Sequence, residues 1–512
     1  MSERAVPIAV RNPWAFVPLM YFLQALPVSL VQDVATIVYK DFGLENETIV
    51  RWTAVVALPW SLQMFFGPLV DLTGTRRQWV VRAQGIIAAA LMAVPFLMRL
   101  PRAFELSLCA FLVAAIFSTI CNAAQDGYYL LSLQKDEQAR YAGIQSTAYK
   151  LGTLFMKGLL VYLAGFLAKS MAPMDAWSAV LLGAGIVYAG LYLIERNTMP
   201  RPEADVPANE APGELAANAW RTIYVVGLGI ASYFTANALV RLGANALWAI
   251  RDGNPEGPLK GWHLKPDASL VTIPIPGPGT NAEMVQLILS GSLAVLFFVL
   301  ARRSIRGSAM GTAFSSFFQQ SSIPAIFAFL MLYRFGEAMI LRMSPLFLKD
   351  APTAGGLGLG NEQVGTIKGV VGVIGIILGG ILGGWIISRA GLKRTIWPIA
   401  ICMHLPGLLY LWASHAFPPV ATMYGVDFIE QFGYGFGFAG YTIILQRIAQ
   451  RGNFRTAHYA LGVGVGALFG QVAGVVGAVL QSNFGYQGFF LGAVLLAIPG
   501  LATLLFLPLD EN

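Results

Sequence analysis

Residues 67–77 read Gly67-Pro68-Leu69-Val70-Asp71-Leu72-Thr73-Gly74-Thr75-Arg76-Arg77, and residues 384–394 read Gly384-Trp385-Ile386-Ile387-Ser388-Arg389-Ala390-Gly391-Leu392-Lys393-Arg394. Both stretches close an apolar run and share one frame: Gly, three residues, a polar residue, two residues, Gly, one residue, two bases. The offset between them is 317. Asn46-Glu47 recurs as Asn361-Glu362, Tyr141-Ala142 as Tyr459-Ala460, and Leu19-Met20 as Leu330-Met331, at offsets of 315, 318 and 311. A dipeptide match alone is chance. The loop frame, the shared order and the near-constant offset together make the chain an internal repeat.

The material between the repeated loops is apolar. Of 512 residues, 56% are hydrophobic and 12% charged, about half the roughly 25% charge of a soluble domain. Mean hydropathy is +0.62. These values exclude a water-soluble enzyme, a disordered chain and a nucleic-acid binder. Backbone groups cannot stay unpaired in lipid, so each apolar run of about 20 residues predicts a helix. We count 14 such runs, the first near 13–36 and the last near 485–508. The first begins near Trp14 and reads as a retained span rather than a cleaved signal.

The net charge of +7 belongs to the loops. With an inside N-terminus, 19 Lys and Arg residues fall in inner loops, including Arg76, Arg77, Arg389 and Arg394, against 8 in outer loops. That bias predicts both termini in the cytoplasm of a cell bounded by this inner (plasma) membrane. Cys109, Cys121 and Cys402 lie in apolar runs and read as small core residues. No histidine pair has metal-ligand spacing, so neither a metal nor a cofactor is expected. No Gly-Lys dipeptide occurs, which removes a P-loop and ATP hydrolysis in cis.

The repeat matches spans 1–6 to spans 9–14. We therefore expect an N-terminal bundle over 1–196, a Pro- and acid-rich cytoplasmic linker over 197–218, an inserted hairpin over 219–302 with an external loop at 249–283, and a C-terminal bundle over 303–512. Two parallel six-helix repeats are the architecture of the major facilitator superfamily, and the Gly-xxx-Asp-xx-Gly-x-Arg-Arg loop resembles that superfamily's signature. The expected class is an all-α polytopic membrane protein, working as a monomer. The resemblance makes the loop a gate: Gly67, Gly74, Gly384 and Gly391 permit tight turns, while Asp71, Arg76, Arg77 and Arg394 can lock the halves together. Ser388 replaces the carboxylate in the second copy. Glycines at four-residue spacing (Gly375, Gly379, Gly383; Gly466, Gly470, Gly474) allow close helix approach, either as static packing or as a sliding seam.

In this fold the first and fourth helices of each half line the cavity, here spans 1, 4, 9 and 12. An ionisable side chain inside the membrane is a functional hypothesis by default. Span 4 carries Asn122, Gln125 and Asp126, with Asn122 and Asp126 on one face. Asp126 either carries a proton or pairs with a neighbouring helix, and Asn122 is a candidate polar substrate contact. Span 9 carries Arg334-Phe335-Gly336-Glu337 and then Arg342. Arg334 and Glu337 either neutralise each other or serve as anion ligand and proton site. Span 12 carries Asp427, Glu430 and Gln431, followed by the Gly/aromatic run Phe432–Phe438, which suits a sugar-like or amphipathic solute. Span 5 adds Lys150 and Lys157. Asp33 reads as interfacial, near the outer end of span 1, and His404 and His458 are candidate proton relays.

Gln24-Ala25-Leu26-Pro27, Leu58-Pro59-Trp60 through Asp71, Gln125-Asp126, Arg334–Ala338 and Glu430–Gly435 resemble bacterial anhydromuropeptide permeases of the AmpG type, which are related to acetyl-CoA transporters. The resemblance spans both halves. It implies proton-driven import of cell-wall sugar-peptide fragments and no enzymatic activity. Asn122 stands where that family often has a first aspartate. Siderophore or acyl-CoA-like carriage on the same fold, and a transport-like sensor, are the alternatives; the sensor would bind its ligand without flux.

Overall fold

The computed structural model describes residues 12–63, 66, 70, 74–133, 135–203, 205–206, 212–252, 280–307, 309–451 and 455–507. Gly67, Asp71 and most of the expected external loop lie outside them. All regular structure among the described residues is helical.

The expected spans appear in order. Spans 1–6 are Pro13–Asp41, Asn46–Ser61, Arg76–Leu97, Ala103–Ser132, 135–167 and Pro173–Thr198. Span 7 (Pro212–Asp252) and span 8 (Thr280–Ile305) form the inserted hairpin. Spans 9–12 are Ile323–Lys349, Asn361–Ala390, Leu392–Ala416 and Val420–Gln450. The last continuous helix, Arg455–Ala502, contains spans 13 and 14, folded back at Gly485, where φ is +65°. Only glycine enters that region cheaply. Span 7 starts at Pro212 rather than near 219, so the linker is shorter than its composition suggested. Asp205 of the linker is docked: its carboxylate accepts from the backbone N–H groups of Arg76 and Arg77, at 2.8 and 2.9 Å, and so caps span 3.

The ends of the helix bundle differ. One carries Arg76, Arg77, Arg389, Lys393 and Arg394, and we call it the basic face. The other carries Asp41, Asn46, Asp350 and Asn361. Outward side chains such as Ile288, Leu289 and Val295 of span 8 are exposed, as a lipid-facing helix requires.

The halves meet along two seams, span 2 against span 13 and span 5 against span 10. In the second seam the backbones touch: a Cβ on Gly369 would strike the backbone of Gly158, and one on Gly165 would sit 2.6 Å from the Glu362 nitrogen. Both helices are π-wound there, over Phe155–Leu160 and Gly365–Val371. Span 1 has a third π segment, Leu30–Val34. Such windings are frequent at functional sites.

The glycine stripes resolve differently. In span 10 a Cβ on Gly375 or Gly383 would come 2.9 or 2.7 Å from the carbonyl oxygens of Phe428 and Phe436. That stripe is fixed packing on span 12, inside one bundle. In span 13, Gly466 and Gly470 line the central cavity, and Gly474 faces Val50 and the stem of Arg342.

Candidate functional site: a charged cavity between the halves

A cavity of about 210 Å³ opens between the bundles. Span 1 contributes Gln32, Asp33 and Thr36, and span 2 contributes Trp60 and Ser61. From the second half come Arg334, Phe335, Ala338 and Arg342 of span 9, and Gln471 of span 13. Asp33 belongs to the π segment of span 1, where the altered winding turns it inward. It pairs with Lys157, on the π segment of span 5, at 3.1 Å. Asp33 is therefore a cavity residue and not an interfacial one.

Span 9 breaks at Tyr333-Arg334, which leaves Arg334 as the N-cap of Phe335–Lys349. Its guanidinium lies 3.5 Å from Glu337, donates to the Tyr434 hydroxyl at 3.1 Å, and faces the rings of Tyr434, Phe438 and Tyr441 at 4.9–5.6 Å. The Gly/aromatic run of span 12 now has a cause. Gly433, Gly435 and Gly437 abut Cys402, Ile376 and Met403, so spans 10 and 11 press onto the glycines. Tyr434 and Phe438 are left to cage Arg334 by cation–π contact. Arg334 is thus ion-paired and caged within its own half.

The other expected residues separate. Asp126 is exposed, and Lys150 is half-buried. Asn122 and Gln125 are buried, and Gln125 donates to the Met20 carbonyl at 3.3 Å, tying span 4 to span 1. Glu430 and Gln431 are bonded to each other at 2.5 Å in a buried cluster of the second bundle. There Lys368 ion-pairs with Asp427, lies 3.9 Å from Glu430 and donates to the Tyr410 hydroxyl at 2.9 Å, while Tyr410 donates to Asp427 at 2.7 Å. His458 is held by Ser316 and Gln320 at 2.9 and 3.1 Å. His404 packs edge-on against Tyr333.

At the basic face, Arg77 donates to the carbonyls of Arg196 and Met199 at 2.7 and 3.3 Å, which tie it to the end of span 6 and the start of the linker. Arg76 packs over Gly127 of span 4. Gly74 sits beside the Gln78 side chain, which shares the Thr75 capping box of span 3. Gly391 turns the chain between spans 10 and 11 with φ +82°, Gly384 faces open space, and Arg394 is exposed.

The opposite face carries a lock that the sequence reading missed. Lys40 ion-pairs with Asp350, and Lys349 ion-pairs with Asp41. Asn46 donates to Asp350 at 2.8 Å, and Asn361 donates to Asp41 at 2.5 Å. Each lysine also donates to the asparagine of its own half. Tyr486 donates to Asp350 and the Trp177 indole to Asp41, both at 2.6 Å. The arrangement is a pseudo-twofold clasp between the halves. The signal was present: Lys40-Asp41 recurs as Lys349-Asp350, and both it and the Trp177/Tyr486 pair are spaced by 309.

The profile of the Major Facilitator Superfamily matches residues 17–457. Over 503 residues the chain is 19% identical to a putative transporter AmpG 4 of Rickettsia conorii, covering 96% of this chain and 95% of the relative. It is 24% identical to the anhydromuropeptide permease of Escherichia coli K12 over 189 residues, 37% of each chain. Among solved structures it resembles a POT family transporter (TM-score 0.63, 11% identity, 96% and 95% of the two chains) and the xylose transporter XylE from E. coli (TM-score 0.57, 12% identity, 97% and 96%). These likenesses carry the fold. A repeat of six helices, an inserted hairpin and a cavity walled by both repeats place this transmembrane chain in the major facilitator superfamily of transporters.

Proposed function

We propose that the protein is a proton-coupled importer of an amphipathic solute, with anhydromuropeptide-like cell-wall fragments as the leading class, and that it works by alternating access. The observation that carries the reading is the crossed clasp. A lock that joins the halves on one face, above a cavity walled by both, is what a rocking mechanism needs. The bundles 1–196 and 303–512 are the moving bodies. The excess of basic loops assigns the basic face to the cytoplasm of the inner membrane, so the clasp closes the periplasmic side. In the opposite state the Gly67–Arg77 loop and its second copy hold the cytoplasmic side.

Protons enter the reading through Asp33 and Asp126. A proton on Asp33 releases Lys157 and so changes the electrostatic tie between spans 1 and 5. Asp126 is exposed near the basic face, where it can exchange a proton with the cytoplasm. The likeness to an anhydromuropeptide permease supports the substrate class. The test is uptake of a labelled disaccharide anhydromuropeptide into proteoliposomes under an inward proton gradient. Accumulation that collapses with an ionophore is expected. Absence of uptake by folded protein would discard the muropeptide assignment, and accumulation that ignores the ionophore would discard the coupling.

A further inference from the structure

Arg342 is a cavity charge whose facing carboxylate, Asp33, is ion-paired with another residue, Lys157. It lies on span 9 between Arg334 and the clasp, and lines the cavity. Its Nη2 donates to Gln471 at 2.5 Å, and its Nη1 is enclosed with no hydrogen-bond partner. Among the described residues no carboxylate pairs with it. The acid whose charge reaches it, Asp33, is ion-paired with Lys157 at 3.1 Å, and Glu337 of the same span is paired with Arg334 at 3.5 Å. An unmatched cation removed from water is costly unless something pairs with it.

The surroundings prepare this guanidinium for a ligand. Gly474 packs against its stem, where a Cβ would meet the Arg342 Cγ at an ordinary 3.7 Å. Gln471 holds Nη2 and leaves Nη1 unpaired. A guanidinium offers two parallel N–H groups matched to a carboxylate. Trp60, Phe335 and Leu341 supply apolar surface in the same cavity.

We propose that Arg342 anchors a carboxylate of the transported solute, with the solute's less polar body lying against Trp60 and Phe335. The assignment rests on reading the central cavity as the transport site, and it moves the anion ligand from Arg334, which is already caged, to Arg342.

The test uses purified full-length protein and two probes, N-acetylmuramic acid and its uncharged carboxamide, each at millimolar concentration. The acid is expected to raise the melting temperature of the wild type by a few degrees, and the amide is expected to leave it unchanged. Arg342→Gln should abolish the shift, and Arg342→Lys should keep part of it, since the charge remains and the fork is lost. If Arg342→Gln does not fold, the acid-against-amide contrast in the wild type and Arg342→Lys decides. Equal shifts with acid and amide, no shift with the acid, or an undiminished shift in Arg342→Gln would overturn the anchor. Acid-specific stabilisation without any muropeptide accumulation would keep the anchor and sink the muropeptide reading instead.

Discussion

Lys40 and Lys349 each ion-pair with the aspartate that follows the other, Asp350 and Asp41, so that the two halves hold one another by crossed arms. The crossing gives the contact its economy. Each crossed ion pair exists only while the halves are together, and separation breaks both at once.

Breaking one arm should therefore bias the protein toward the state open on that face. Loss of a partly buried pair is worth about 1–3 kcal/mol, or roughly a 5–150-fold change in the ratio of states. Lys40→Asp should raise the thiol-labelling rate of a cysteine placed at Ser61 and lower uptake. The charge exchange Lys40→Asp with Asp350→Lys should recover both. Failure of the exchange, with each single variant folded, would argue against the clasp as a gate.

Asp33 and Asp126 divide the proton work differently. Asp33→Asn removes the partner of Lys157 and should abolish gradient-driven accumulation, while counterflow exchange down a solute gradient continues. Asp126→Asn should also keep expression and lose gradient-driven uptake. Full pH-dependent accumulation in either variant would remove that residue from the coupling.

The glycines of the second bundle predict a contrast within one helix. Gly383→Ala would bring a Cβ to 2.7 Å from the Phe436 carbonyl oxygen, an overpacking error of about 1–3 kcal/mol. Gly384→Ala, one residue on, meets nothing within 4 Å. The first should lower the melting temperature by several degrees, and the second should not. Equal stability of the two would contradict the packing of spans 10 and 12.

Lys368 tests a structural role for charges expected to bind substrate. Lys368→Met leaves Asp427 buried without its cation, at a cost of about 3–5 kcal/mol. Lys368→Met with Asp427→Leu should recover most of the lost yield and melting temperature. A single variant as stable as the wild type would mean that Asp427 and Glu430 do not depend on this lysine.

Much of the polar inventory was readable in one dimension, but its allocation was not. Arg334, Glu337, Glu430 and Asp126 were all visible as charges in apolar runs. Nothing local separates Glu430, which is buried beside Lys368, from Asp33, which reaches the cavity. The distinction lies in helix rotation. It also lies in the π segments of spans 1, 5 and 10, whose extra residue shifts every later side chain around the axis. Arg342 passed as one more basic residue because which carboxylates pair with it is a property of neighbours in space.

By itself, the sequence determined the membrane helices, their pairing into two repeats and the inserted hairpin. Lipid leaves an apolar run no alternative to a helix that closes its own hydrogen bonds, and a repeated helix pattern folds twice. Tertiary structure alone decided which charges face the cavity, which are spent inside a bundle, and that Lys40 finds Asp350. Those outcomes depend on distances between residues separated by some 300 positions, set by how Gly158 and Gly369 let two backbones touch.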